Sequence, residues 1–272
     1  MKPQIALRID VPGYAARSAL PVLVDLLRSQ GAGASFVFAC GPDWLGRSLA
    51  RHCVGTLRLV RDAAFDLGIY GWCPAQWVKH VEQANAAWIA NRLQRTIVSF
   101  TEVFELPPQL HAAPGWRSHP HALRLTQRLG FTYASDTRGR YPFIPVWNGE
   151  IVRCPQIPVT LPTLDELITS PRQDPAELIG AVLALTANPP LHGHVFSLRA
   201  TKALGQAPQA VERLLAGWRE QGYDVTSIQS LASRLIVDKL PRHEIVVGKV
   251  PGRDSTVLLQ GDEFLSAWRN PT

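Results

Sequence analysis

Short apolar runs alternate with stretches of helical period along this chain, and that alternation restricts its fold more than any other feature. Ile5 to Ile9 is an apolar run ending in Asp10, and Leu20, Leu23, Leu26 and Leu27 follow at helical spacing within 17–29. Residues 34–40, 65–72, 109–113, 131–135, 152–161 and 194–199 read as further strands. Stretches 44–61, 76–104, 119–129, 175–187 and 208–221 read as helices, with Asp43 the N-cap of the first. Strands and helices in alternation, joined by short links, imply parallel pairing with right-handed crossovers. About seven such steps predict an α/β fold, an incomplete barrel in preference to an open sheet, as one domain over residues 1–272. Residues 244–260 alternate around Gly252-Arg253-Asp254 and predict a C-terminal hairpin that closes it.

In a barrel of this kind the chemistry lies at the C-terminal strand ends. Asp10, Cys40, Trp72, Ala113 to Arg117, Asp136 and Arg199 all fall there. The region 110–166 carries the densest signal, because Pro, Gly, Trp and Arg crowd together just after its short apolar runs. Its segment from Pro155 to Thr163 has prolines at 155, 158 and 162, which suits an extended rim strand bracing the mouth or, alternatively, a substrate groove.

With 272 residues, 46% of them hydrophobic, the chain can bury a barrel-sized core. A net charge of +6 favours anionic partners, yet the basic residues are scattered singly and match no nucleic-acid-binding signature, so no nucleic acid is expected. Cys40, Cys53, Cys73 and Cys154 have no metal or disulfide spacing and read as reduced thiols of a cytoplasmic protein. No leading signal is read, and no apolar run approaches the ~20 residues that cross a bilayer. Arg47, Arg51, Arg58 and Arg61 among the apolar residues of 44–61 suit either a peripheral membrane helix or an ordinary barrel helix with a basic outer face.

Read in order, Leu7-Arg8-Ile9-Asp10-Val11, Gly41-Pro42-Asp43, Ala113-Pro114-Gly115-Trp116-Arg117, Ser135-Asp136-Thr137-Arg138-Gly139 with Pro142-Phe143, and Ile157 to Thr163 followed by Asp165-Glu166 resemble the polysaccharide deacetylase family, carbohydrate esterase family 4. The branch most resembled is the deformylase of formamido-arabinose on undecaprenyl phosphate, over about residues 4–261. The resemblance implies a distorted (β/α)7 barrel of the polysaccharide deacetylase type and a divalent-metal amide hydrolase. It implies Asp10 as the base, an acidic metal ligand two residues on, a His-x-x-x-His pair, and a late histidine acid. In this sequence the metal aspartate falls at Pro12, the histidine pair at Tyr70 and Pro74, and the histidine acid at Arg199.

Those replacements remove the chemistry the family uses. A metal lowers the pKa of bound water from 15.7 to about 7, worth at most about 12 kcal/mol of nucleophile activation. General-base help from Asp10 returns only about 10²–10⁴-fold, roughly 3–5 kcal/mol. Proline has no donor atom, neutral tyrosine is a poor substitute for imidazole, and arginine does not release a proton to a leaving amine. No metal cofactor such as zinc is therefore expected, unless His119 and His121 join Asp10 or Asp136 in a relocated site. His192 and His194 would share one side of their strand but lie at its start, away from Asp10.

What remains is Arg117, Arg138 and Arg199 around a cleft, with Trp116 and Tyr70 as flat walls and Asp136 beside them. Arginine forks suit phosphate and carboxylate, and aromatic faces suit a sugar ring. The leading expectation is a catalytically degenerate binder of an amino sugar or a lipid-linked sugar phosphate, partnered with an active paralogue and peripheral to a membrane. The alternative is an active carbon–nitrogen hydrolase using Asp10 (an N-deacetylase or deformylase). Arg199 could instead form an internal pair with Asp10 or Asp136, Asp136 and Arg138 could simply pin the Gly139 turn, and Trp116 could be core.

Overall fold

Strand β1 (Gln4–Val11) is the axis of the fold, and all eight of its residues are buried. The computed structural model describes residues 2–168, 174–201, 204–205 and 208–265. In chain order the other strands are β2 (Ser35–Phe38), β3 (Asp66–Ile69), β4 (Leu110–His111), β5 (Tyr133–Ala134), β6 (Ile144–Trp147), β7 (Glu150–Ile151), β8 (His194–Arg199), β9 (Asp224–Thr226), β10 (Arg242–Gly248) and β11 (Val257–Glu263). The main sheet runs β5-β4-β3-β2-β1-β8, with β9 beside the start of β1. All its pairings are parallel, as the strand–helix alternation requires.

Alternation along β1 divides the core in two. Ile5, Leu7, Ile9 and Val11 join the larger apolar cluster, packed against the helices. There they meet Leu20, Leu23, Leu26 and Leu27 of α1 (Ala19–Ser29), the face its spacing predicts. Burial of each such side chain stabilises by about 1.5–3 kcal/mol. Ala6 instead joins Val37, Tyr70, Leu110, Tyr133 and Val195 inside the curled sheet. Arg8 and Asp10 lie on this inner side by the same period.

Three local expectations need correction. Asp43 does not start a helix: its carboxylate accepts from the Leu45 and Arg47 amides within a tight turn, and Gly46 at φ +77° stops the chain there. The helical region begins later and is two helices, α2 (Leu49–His52), capped by Ser48, and α3 (Val54–Asp62), separated at Cys53, whose φ and ψ are −136° and 32°. The long stretch over 76–104 is likewise divided into α4 (Pro74–His80) and α5 (Ala86–Phe104), the latter capped by Asn85.

The strand expected over 152–161 forms no ladder, because prolines at 155, 158 and 162 withhold amide donors. The segment still bridges the gap between β5 and β8. Ile157 donates to the Ala134 carbonyl at 2.7 Å, Val159 to Thr137 at 3.0 Å, and Thr160 to Val195 at 3.1 Å. Helix α6 (Pro120–Arg128) precedes this segment in the chain, and α7 (Leu164–Leu167), closed by a Thr163–Glu166 capping box, follows it. Beyond these lie α8 (Pro175–Leu185) and α9 (Gln209–Glu220), which pack on each other.

The C-terminal hairpin is present as β10 and β11, but it builds a second sheet in the order β11-β10-β6-β7 rather than adding to the first. Its turn is anchored on α7, where a Cβ on Gly252 would overlap the Glu166 carbonyl.

A candidate ligand cleft at the C-terminal strand ends

Arg8 and Asp10 project side by side from β1. Arg8 Nε donates to Asp10 Oδ1 at 2.6 Å and Nη2 to Oδ2 at 3.0 Å. The remaining nitrogen, Nη1, donates to the Ser135 carbonyl at 2.6 Å and to Ser135 Oγ at 3.2 Å. Ser197 Oγ, from β8, donates to Asp10 Oδ2 at 3.2 Å. Burial opposes the charge on Arg8, but the Asp10 carboxylate outweighs it and holds the guanidinium pKa above its ordinary value. The two-pronged geometry fixes the carboxylate in one orientation.

A cavity of about 780 Å³ opens over this pair. Asp10, Tyr70, Trp116, Arg117 and Arg199 line it, and so do Pro12 and Pro74. The three positions that the resemblance aligns with metal ligands therefore line the same cavity as Asp10. Their chemistry does not fit a metal. Pro12 and Pro74 offer no donor, both Asp10 oxygens accept from Arg8, and Tyr70 Oη accepts from the Gly115 amide at 3.2 Å. Burial first, and the Asp10 carboxylate second, push the Tyr70 phenol up, so it stays a neutral donor.

No group of three His, Cys, Asp or Glu among the described residues could hold a metal. The relocated site at His119 and His121 is not assembled. His119 caps α6, its Nδ1 accepting from the His121 amide at 3.0 Å, and neither histidine lines the cavity. His194 pairs in register with Ile5 at the far end of β1, while Arg199 pairs with Asp10. That confirms which end of β8 faces the cleft.

Arg199 does not fill the place of a metal. It is exposed at the mouth, and its side chain makes no hydrogen bond or ion pair with a described residue. Arg8 takes the Asp10 carboxylate because it shares the strand face and needs no reach from the rim. Arg213, on α9, is likewise exposed on the cavity wall without an ion pair among the described residues. Arg117 lines the cavity too, with Nε donating to Glu82 Oε1 at 2.8 Å and its carbonyl held by Trp77 Nε1.

Asp136 and Arg138 lie beneath the cavity rather than on its wall, which corrects their reading as ligand contacts. Asp136 is fully buried and accepts from His111 Nδ1 at 2.7 Å, the Ala113 amide at 2.8 Å and Gln156 Nε2 at 3.2 Å. It positions the loop that follows β4. Arg138 Nη1 donates to both oxygens of Glu166, at 2.8 and 2.9 Å, and Nη2 to the Leu161 carbonyl. Burial pulls its pKa down, against the pull of Glu166.

Trp116 is 3% exposed and sits at φ +55°, a left-handed conformation that is strained for a bulky residue by about 1–3 kcal/mol. The guanidinium groups of Arg8, Arg138 and Arg253 stand 5.3, 4.8 and 4.9 Å from its ring centre. These contacts engage the indole within the protein, so it is a support for three arginines more than an open platform. Sequence reasoning missed Arg8, Ser197, Arg213 and Arg253 as site residues. Two charges spaced i, i+2 in a buried strand were a signal for the first; nothing local marked the others.

Compared with known proteins, the chain resembles the deformylases and polysaccharide deacetylases along nearly its whole length. It is 26% identical to the probable 4-deoxy-4-formamido-L-arabinose-phosphoundecaprenol deformylase of Shewanella sediminis, covering 92% of each chain. No family model matches. Among solved structures, a putative polysaccharide deacetylase from Mycobacterium smegmatis superposes with a TM-score of 0.70 at 17% identity, over 92% of this chain and 96% of that one. A CE4 family pseudoenzyme from Bacillus anthracis gives 0.60 at 16% identity, over 89% and 69%. The fold is thus the polysaccharide deacetylase barrel.

Proposed function

We propose that this deacetylase-like and deformylase-like chain binds an anionic amino sugar, a sugar phosphate carried on a lipid being the leading case, and does not hydrolyse it by the metal route. The observation that carries this reading is that Pro12, Tyr70 and Pro74 line the cavity with Asp10 where the resemblance expects metal ligands. Without a metal-activated water, Asp10 has only general-base catalysis to offer, about 10²–10⁴-fold. Arg199 and Arg213 supply positive charge at the mouth that is unpaired among the described residues and suited to phosphate or carboxylate. The neutral phenol of Tyr70 supplies a donor for a sugar oxygen. The name of the Shewanella relative, a deformylase of a sugar on phosphoundecaprenol, supports the ligand class. The reading carries with it a cytoplasmic location and an active paralogue as partner.

A second reading, amide hydrolysis by Asp10 without a metal, draws on the position of that carboxylate in the cavity beside Tyr70 and Ser197. One experiment separates the two. Protein purified without chelator is assayed for metal content, and for turnover and binding of formylated and acetylated amino-sugar phosphates with zinc, cobalt or neither added. Binding without turnover, weakened in Arg199→Ala or Arg117→Ala and kept in Asp10→Asn, supports the first reading. Turnover abolished by Asp10→Asn would install the second, and stoichiometric metal with turnover would overturn both.

A further inference from the structure

Trp44 is 88% exposed and its neighbour Leu45 is 51% exposed, while the other described tryptophans are buried or half-buried. The exposure is built, not incidental. Asp43 Oδ1 accepts from the Leu45 and Arg47 amides at 2.9 Å, and its Oδ2 accepts from Arg47 Nε at 3.0 Å. The Asp43 amide donates to the Arg47 carbonyl at 2.8 Å, and the Gly46 amide donates back to the Asp43 carbonyl at 3.0 Å. This closed turn holds two large apolar side chains outward, and little further ordering is needed for them to bind.

The base of the turn is tied to the rim of the cleft. Arg47 and Arg17 stand 4.9 and 4.3 Å from the ring centre of Tyr14, and His52 meets the same ring edge-on at 5.8 Å. Tyr14 is two residues beyond Pro12, which lines the cavity. The tip and the cleft mouth therefore share one end of the barrel. Arg17 and Arg47 stand at the base of the tip and Arg51 follows four residues on in α2, against one acid within the turn, Asp43, and neither Arg17 nor Arg51 makes an ion pair with a described residue.

We infer that the Asp43–Arg47 turn is a membrane-docking tip, which seats Trp44 and Leu45 in the interface of an anionic bilayer with Arg17 and Arg51 on its headgroups. Tryptophan is at home at that depth, its ring apolar and its N–H wet, and arginines beside it meet the negative surface potential. Among the described residues no helix is long and apolar enough to cross a membrane, so the contact is peripheral. Two side chains are too small a footprint for a protein interface, which takes about 800 Å² from each partner. The inference stands whether or not the cleft binds a lipid-linked sugar.

The test is co-sedimentation of the full chain with vesicles of phosphatidylglycerol and phosphatidylcholine, and with phosphatidylcholine alone. The double variant Trp44→Ser, Leu45→Ser is expected to lower partition onto both kinds of vesicle by roughly tenfold or more, with an unchanged thermal midpoint. Arg17→Gln with Arg51→Gln is expected to weaken binding to the anionic vesicles alone, as does high salt. Wild-type protein that stays in the supernatant, or a double variant that sediments like wild type, overturns the inference. So does a double variant that turns a dimer into a monomer in ultracentrifugation without changing sedimentation, since the tip would then serve a second copy of the chain.

Discussion

Arg8 and Asp10 close a two-pronged ion pair across one i, i+2 step of a strand whose every residue is buried. Removing one partner leaves the other buried and uncompensated, which costs about 3–5 kcal/mol, whereas replacing both with apolar residues is often near neutral. Asp10→Ala is therefore expected to lose about 3–5 kcal/mol in urea unfolding, and Arg8→Met with Asp10→Leu far less. A single variant within 1 kcal/mol of wild type, by the accuracy such measurements reach, would show that the pair is not held as described.

The wall residues make a second prediction. Pro12, Tyr70 and Pro74 line the cavity with Asp10, so the triple variant Pro12→Asp, Tyr70→His, Pro74→His would present one carboxylate and two imidazoles there. It is expected to bind one cobalt or zinc ion where wild type binds none, read from the cobalt visible spectrum and by elemental analysis. Tyr70→His also removes the acceptor of the Gly115 amide. A loss of about 1 kcal/mol in stability should accompany the gain of metal. Absence of metal in the triple variant would mean that the alignment of these positions is wrong.

Arg199 and Arg138 should separate binding from stability. Arg199 is exposed with no ion pair among the described residues, so Arg199→Ala is expected to keep the unfolding midpoint within about 0.5 kcal/mol and to weaken anionic ligands. Arg138 is buried and holds Glu166 with two bonds, so Arg138→Ala is expected to cost about 3–5 kcal/mol. Equal stability losses in the two would contradict the placement of Arg199 at the open mouth.

Much of this was legible in the chain. The parallel order and the helix-facing leucines of α1 follow from periodicity alone, because one buried face writes itself into spacing. Residues 152–161 misled because an apolar run interrupted by Pro155 and Pro158 still reads as a strand, while the missing amides allow only scattered bonds. The hairpin of β6 and β7 went unread although Asn148-Gly149, at φ +53° and +77°, is the dipeptide that a tight two-residue turn favours. At the site, motif order located Asp10, Tyr70, Trp116, Arg117 and Arg199, but not which cation meets Asp10. That choice depends on reach across the barrel, and sequence spacing measures reach only within one strand.

Glu166 supplies the pH dependence. Its Oε1 accepts from Arg138 and Arg253 at 2.8 and 2.9 Å, and its Oε2 from Arg138 and the Thr163 amide at 2.9 and 3.0 Å. Burial alone would raise its pKa; the arginines outweigh burial and hold it below the ordinary carboxylate range. A folded-state pKa below the unfolded one contributes stability above the unfolded value, about 4.3, and that contribution is lost as pH falls through the folded value. Protonation would leave Arg138 and Arg253, both beside Trp116, without their shared anion, and Arg253 lines the cavity. Unfolding midpoints taken from pH 7 down to pH 3 should therefore fall more steeply below about pH 4.3 in wild type than in Glu166→Gln, which has already lost the charge. The variant should also be the less stable at pH 7, and ligand binding by wild type should weaken over the same acid range. Parallel acid profiles for the two proteins would mean that Glu166 does not anchor this wall.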